Sequence, residues 1–349
     1  MKIAKHVRKL AGYVPGEQPK SKRVVKLNTN ENPYPPSPKC RETLAAFDLD
    51  RLRRYPDPEF SELRAELARL NGTVAERIFV GNGSDEILSL LSRAFVENDE
   101  KIGSLDPSYS LYRTLAAIRN VEWVGYPELP KSPDRKLSLF LLTNPNAPTG
   151  EFREVEAIAS FAKRFRGILV VDEAYADFAR DNAMRLASAA GNVNIIVMRT
   201  FSKSYSLAGL RVGYCVGPEN LIAAMYKIKD SYNVDAVAQA VALAAVRDQR
   251  WMKSNVAKVI AERERLTAEL VRRGWNVMPS ESNFLFAKPP RPQRASAVFA
   301  HLKGENVFVR YFKGPKTGDR LRITVGTPAQ NRRLLSSLDS CAAPISKTK

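Results

Sequence analysis

Ile168-Leu169-Val170-Val171-Asp172-Glu173-Ala174-Tyr175 is the stretch on which the fold turns. Four consecutive apolar residues read as a short strand covered on both faces, as in parallel sheets flanked by helices. The run ends on two carboxylates and a tyrosine. On either side the same alternation continues. Strand-type runs stand at 77–80, 137–142, 168–171, 194–198 and 212–216, and helical segments at 84–96, 155–166 and 219–229. This predicts an α/β chain with a mostly parallel sheet covered by helices. In open sheets of this kind ligands sit at the C-terminal ends of the strands. The polar residues that follow each apolar run are therefore the candidates for chemistry.

Beyond this region the pattern changes. Residues 58–70 place leucines at helical spacing, and 235–273 read as helix in one piece or two. Three further strand-like segments follow at 283–287, 307–310 and 321–325, which suggests a smaller α/β unit. In the last of these Arg322 and Thr324 share one face, opposite the apolar residues. The first 50 or so residues are rich in Pro, Asn and Gly and read as an extended arm, not a packed unit. The expected division is an arm and part of the small domain over 1–50, a large domain over 51–250 and a C-terminal small domain over 251–349.

Composition excludes several classes. The chain has 349 residues, 44% hydrophobic and 26% charged, which is ordinary globular usage. Three cysteines and two histidines leave little material for a disulfide framework, a metal site or a Ser-His-Asp triad. No segment is long and apolar enough to span a bilayer, and the basic N-terminus lacks the apolar run of a signal peptide, so a cytoplasmic, non-membrane protein is expected. The net charge of +18 is spread along the chain without a nucleic-acid-binding motif. It reads as a solvated basic surface that also attracts small anions, and no nucleic-acid partner is expected.

Four features follow the strands. Val80-Gly81-Asn82-Gly83-Ser84-Asp85-Glu86 is a glycine turn feeding a helix, with Ser84 as expected N-cap and first-turn N–H groups suited to a phosphate. Taken alone it is simply a capped helix. Asn144-Pro145-Asn146-Ala147-Pro148-Thr149-Gly150 is a rigid loop after 137–142. Asp172 ends the central run, where a partly buried carboxylate needs a partner. An NTPase magnesium site there would require an upstream Gly-Lys-Ser/Thr loop, which the sequence lacks. The fourth feature runs from Arg199-Thr200-Phe201-Ser202-Lys203 to Arg211-Val212-Gly213. Lys203 lies among hydroxyls just past a buried strand. Desolvation there would lower its pKa from about 10.4 and make it a nucleophilic amine.

These four elements, in this order, resemble the fold type I pyridoxal-phosphate enzymes, the aspartate-aminotransferase-like group. Tyr13-Val14-Pro15-Gly16-Glu17, the stretch from Leu27-Asn28-Thr29-Asn30 to Asn32-Pro33-Tyr34-Pro35, Arg54-Tyr55-Pro56-Asp57-Pro58 and Leu321-Arg322-Ile323-Thr324-Val325-Gly326-Thr327 narrow the resemblance to histidinol-phosphate aminotransferases, over about residues 10 to 335. The resemblance implies a large domain with a mostly parallel sheet plus a smaller α/β domain, and pyridoxal 5′-phosphate (PLP) as cofactor. Lys203 would hold PLP as a Schiff base and shuttle the proton. Asp172 would pair with the pyridinium nitrogen. Tyr175 would donate to the ring hydroxyl oxygen, and Tyr109 would stack on the ring. Ser84, Asp85, Thr200, Ser202 and Arg211 would hold the cofactor phosphate, and Tyr55 would reach it from the other subunit of a homodimer. Arg322, Arg310, Tyr13 and Asn283 would bind substrate, and no metal is implied. Many relatives carry an asparagine donor to the ring hydroxyl oxygen immediately before Pro-Thr-Gly. Here that residue is Ala147, which leaves Tyr175 as the main donor.

The implied reaction is transamination of L-histidinol phosphate with 2-oxoglutarate in histidine biosynthesis. An aromatic amino-acid aminotransferase on the same framework is the alternative, with a threonine-phosphate decarboxylase more remote. A basic nucleic-acid-binding protein would account for the charge but for none of the four strand-end features.

Overall fold

Strands β1 (Val25–Lys26), β2 (Ile78–Gly81), β3 (Lys101–Leu105), β4 (Glu122–Tyr126), β5 (Leu137–Thr143), β6 (Ile168–Asp172), β7 (Ile195–Thr200), β8 (Gly213–Val216), β9 (Asn276–Val277), β10 (Phe284–Lys288), β11 (Val307–Phe308), β12 (Arg310–Tyr311) and β13 (Leu321–Thr324) form three sheets. The structure is a computed structural model that describes residues 2–8, 10, 12, 16–19 and 23–342. The principal sheet has the order β2-β8-β7-β6-β5-β3-β4. Its strands are parallel except β8, which runs antiparallel to both neighbours.

Side-chain alternation along the central strands builds two cores. Phe140, Leu142, Leu169, Val171 and Val197 face one way, against helices Val155–Arg164 and Ala236–Arg247. Leu139, Leu141, Val170, Ile196 and Met198 face the other, against helices Gly83–Ala94, Leu111–Arg119 and Glu219–Tyr226. Both faces of the strands are thus apolar, which is why they read as continuous hydrophobic runs. Each fully buried Leu or Phe here contributes on the order of 1.5–3 kcal/mol.

Five strands of this sheet coincide with the sequence reading to within two residues. The two it does not reveal are β3 and β4. Lys101, Gly103 and Ser104 dilute the apolar signal of β3, and β4 is an edge strand with Glu122 and Gly125 exposed. The 235–273 segment is two helices, Ala236–Arg247 and Gln249–Arg272. They are separated at Asp248, whose carboxylate accepts the Trp251 N–H.

The expectation of an unpacked N-terminal arm is corrected for residues 25–45. Strand β1 pairs in parallel with β11, and Leu27 enters a third core with Leu266, Leu270, Leu285, Leu302, Ile323 and Leu334. Helix Pro38–Ala45 starts at Ser37, whose hydroxyl oxygen takes the Lys39 N–H while its hydrogen goes to Asp248. The Pro and Asn residues set turns here without preventing burial. The smaller sheet has the order β12-β13-β10-β9, all antiparallel. Among the described residues no helix is long and apolar enough to cross a membrane, and no group of three or more His, Cys, Asp or Glu is arranged to hold a metal ion.

Candidate active site

Strands β5 and β6 end side by side, with Thr143 in register with Asp172. Asp172 is 4% exposed. Its Oδ2 accepts the Tyr112 hydroxyl at 2.7 Å, and its Oδ1 accepts the Ala174 N–H at 3.1 Å. Tyr112 is also 2.6 Å from Thr143 Oγ1. Burial pushes the Asp172 carboxyl up to about 6, although the two donors favour its charged form. The sequence reading passed over Tyr112. Its signal was a tyrosine three residues beyond Tyr109, at the start of helix Leu111–Arg119.

Lys203 lies three residues beyond β7. Its Nζ donates to the Thr29 carbonyl at 3.1 Å and lies 5.9 Å from the centre of the Tyr175 ring. The side chain borders the cleft, yet enough protein surrounds its ammonium to penalise the charge. Desolvation, then the positive charge of Arg322, brings its pKa down to about 8. Glu31 and Asp85 act in the opposite direction.

A buried ion cluster ties the loops that carry Asp172 and Lys203. Arg199 pairs with Glu173 and with Asp177, each at 2.8 Å. The hydroxyl of Ser204 donates to the second Asp177 oxygen. The neighbours of both central residues are therefore anchored to one guanidinium, which suits two groups that must keep a set spacing.

The turn after β2 forms a glycine-lined cradle. Helix Gly83–Ala94 begins one residue earlier than expected, with Asn82 flanking it, so Ser84 lies within the first turn and is not the N-cap. Gly83 has φ +79°, and a Cβ there would stand 2.6 Å from Arg211 Nη2. A Cβ on Gly213 would stand 2.8 Å from the Ser84 nitrogen. Only glycine leaves this space open. Arg211 Nη2 lies 3.5 Å from Asp85 Oδ2, and the Tyr109 hydroxyl donates to Asp85 Oδ1 at 3.3 Å. Thr200 and Ser202 are buried nearby in sequence, the Ser202 N–H donating to Thr200 Oγ1 at 3.1 Å. Tyr55 stands apart. It is 80% exposed, stacks on Tyr232 with ring centres 4.3 Å apart, and has no contact with the cradle among the described residues.

The smaller sheet contributes the remaining groups. Arg310 and Arg322 are directly opposed on β12 and β13. Arg322 Nη2 donates to the Asn28 carbonyl at 2.9 Å, and its guanidinium lies over the Phe284 and Phe312 rings. The Asn283 amide donates to the Asn30 carbonyl at 2.9 Å, while its Oδ1 is buried with no hydrogen-bond partner among the described residues. Tyr13 lies outside the described residues. The segment Asn28-Thr29-Asn30 thus touches Arg322, Lys203, Tyr175 and Asn283 in turn. Local sequence assigns no role to Asn30.

Comparison with known proteins assigns the chain to a family. The family model for aminotransferase class I and II matches residues 22–338. The chain is 43% identical over 341 residues to histidinol-phosphate aminotransferase 1 of Nostoc sp., covering 95% of this chain and 96% of the relative. It is 44% identical over 347 residues to histidinol-phosphate aminotransferase of Syntrophotalea carbinolica, covering 96% and 98%. Its fold is similar to the crystal structure of histidinol-phosphate aminotransferase from Sinorhizobium meliloti in complex with pyridoxal-5′-phosphate. The TM-score is 0.87, with 25% identity and 98% of each chain covered. With a family model spanning most of its length and relatives above 40% identity, the chain belongs to the class I and II aminotransferases, in their histidinol-phosphate aminotransferase branch.

Proposed function

We propose that the chain exchanges the amino group of L-histidinol phosphate with 2-oxoglutarate, giving imidazole-acetol phosphate and glutamate. Transamination is the reaction, histidine biosynthesis its place, and PLP its cofactor. The observation that carries the reading is the setting of Lys203. An amine with its pKa lowered to about 8 lies within the electrostatic reach of Arg322, Glu31, Asp85 and Arg211.

The residues fit the cofactor. The glycine-lined space beside Arg211 and the Ser84 N–H suits a phosphate group, and Ser84, Asp85, Thr200, Ser202 and Arg211 would hold it. Asp172 would meet the ring nitrogen, Tyr175 the ring hydroxyl oxygen and Tyr109 the ring face. When bound, the cofactor supplies the electron sink that acidifies the substrate Cα–H. Asp172, oriented by Tyr112 and the Ala174 N–H, presents a fixed negative charge to the ring nitrogen. Lys203 Nζ would hold the cofactor and, as a free amine, would take the proton from the substrate Cα. A pKa near 8 suits this work at physiological pH.

Arg310 and Arg322 recognise the anionic end of each substrate. Like charges directly opposed across two strands repel unless an anion lies between them. A phosphate or a carboxylate accepts several guanidinium hydrogens at once. Asn283 completes this end. The active unit is a cytoplasmic homodimer in which Tyr55 reaches the phosphate cradle of the other subunit. Exposed Leu44, Leu49, Leu52 and Tyr55, close together in sequence, support such an interface.

The test is a single-turnover experiment on PLP-loaded protein. Mixed with L-histidinol phosphate, the cofactor's visible absorbance should change rapidly, and glutamate should form when 2-oxoglutarate follows. Lys203→Ala should abolish both signals. Preference for phenylalanine or tyrosine would reassign the substrate to the aromatic amino acids, and carbon dioxide release would indicate a decarboxylase.

A further inference from the structure

Ala147, 5% exposed, brings no side-chain donor to the cleft. A donor arrives instead from the N-terminal segment. Asn30 is 1% exposed, and its Nδ2 donates to the Tyr175 hydroxyl oxygen at 2.9 Å. Its other polar groups are all engaged. Its N–H donates to Thr324 Oγ1 at 3.0 Å, its Oδ1 accepts the Thr324 hydroxyl at 3.1 Å, and its carbonyl accepts the Asn283 amide at 2.9 Å.

Thr324 Oγ1 takes the Asn30 N–H and gives its own hydrogen to Oδ1, and the amide turns Nδ2 towards Tyr175. The tyrosine oxygen therefore accepts in this pair, and its own hydrogen is directed along another line. A hydroxyl that accepts one hydrogen bond becomes a stronger donor in the next. Asn30 also has φ +56°, a left-handed conformation that asparagine tolerates better than most residues. Strain of this kind persists where surrounding bonds over-determine the conformation.

We propose that Asn30 is a positioning residue that polarises the Tyr175 hydroxyl as donor to the cofactor's ring oxygen, supplying one hydrogen bond removed what Ala147 lacks. The proposal rests on the role assigned to Tyr175 above. The nearby charged group is Lys203, whose Nζ lies 5.9 Å from the Tyr175 ring centre and which itself feels Arg322, Glu31, Asp85 and Arg211.

The experiment uses full-length, PLP-loaded protein and reads the pH midpoint of the bound cofactor's visible absorbance, with the PLP dissociation constant as a second readout. Asn30→Gly accepts the positive φ and deletes only the amide. Asn30→Asp retains the side-chain shape should the glycine variant fold poorly. A donor to the ring oxygen stabilises its ionised form, so removing the donor raises the midpoint. Asn30→Gly should raise it by about half a pH unit, less than Tyr175→Phe does, and should weaken PLP binding by a few-fold. In a Tyr175→Phe background Asn30→Gly should add nothing. Asn30→Asp adds a charge whose through-space effect is common to both backgrounds, and its carboxylate draws the Tyr175 hydrogen away from the ring oxygen, so an excess approaching the Tyr175→Phe shift appears only where Tyr175 is present. Equal shifts in both backgrounds, or no shift in either, overturn the role of Asn30. A Tyr175→Phe midpoint equal to that of the unmodified protein removes the assignment of Tyr175 itself, and the proposal with it.

Discussion

Asp172 combines the two requirements of this site in one side chain. In the role proposed for it, it must be ionised to meet a pyridinium, yet it is enclosed, and burial moves its pKa up to about 6. In the unfolded chain a carboxyl of this type titrates near 3.9. The folded state therefore binds more protons between about pH 4 and 6, and stability falls as pH rises through that window. Above it the PLP-free protein carries the whole penalty, on the order of 3 kcal/mol. Asp172→Asn, which can still bond to Tyr112 and the Ala174 N–H, should raise the melting temperature of the PLP-free protein at pH 7.5. That gain should shrink towards zero near pH 4, while transamination is lost. A melting temperature insensitive to the substitution at pH 7.5 would contradict the burial argument. Lys203 carries a parallel penalty with opposite sign, because its lowered pKa marks a buried ammonium that the free protein tolerates below about pH 8.

The turn between β2 and helix Gly83–Ala94 shows how an element makes a binding surface. The helix supplies first-turn N–H groups and the partial positive charge of its N-terminus. Arg211, itself at φ +57°, is brought over that turn and partnered by Asp85. Gly83 is the point of closest approach. Gly83→Ala places a methyl group against the Arg211 guanidinium in a left-handed backbone that costs about 1–2 kcal/mol. If Arg211 moves aside to admit it, one charge-assisted hydrogen bond to phosphate goes too, and PLP affinity should drop roughly tenfold. Equilibrium dialysis of PLP against the variant measures this. Unchanged affinity alongside a lowered melting temperature would remove the cradle from the phosphate site.

Across the whole molecule, the site is assembled from sequence-distant parts: the 28–30 segment, the ends of β5, β6 and β7, and the β12–β13 pair. A homodimer would add Tyr55 of a second copy. This gives a complementation test. Lys203→Ala and Tyr55→Ala chains, each impaired as homodimers, should form mixed dimers with one intact site, because the Tyr55→Ala subunit keeps its lysine and borrows Tyr55 from the other. Unfolding and refolding the two together should restore about half the activity of the unmodified dimer per mixed dimer. No recovery despite mixed dimers, with both variants impaired alone, places Tyr55 within its own subunit.

Much of this protein is written in local sequence. The apolar runs at 137–142, 168–171 and 194–198 are strands buried on both faces, and such strands must be hydrophobic throughout. Lys203 and Asp172 stand out because each comes at or just past the end of an apolar run, whereas Arg211 precedes β8 and enters through its spacing from Lys203 and the family resemblance. Strands β3 and β4 were not legible, since Gly103, Ser104 and an exposed edge carry no comparable pattern. Tyr112 and Asn30 were not legible for a deeper reason. Each acts by hydrogen-bonding a residue 60 or 145 positions away, a pairing that local composition does not encode. Periodicity and burial are local properties, so five of the seven strands and much of their helical cover can be read from the chain alone. What surrounds the Lys203 amine comes from the close approach of distant segments, which packing sets and local pattern does not.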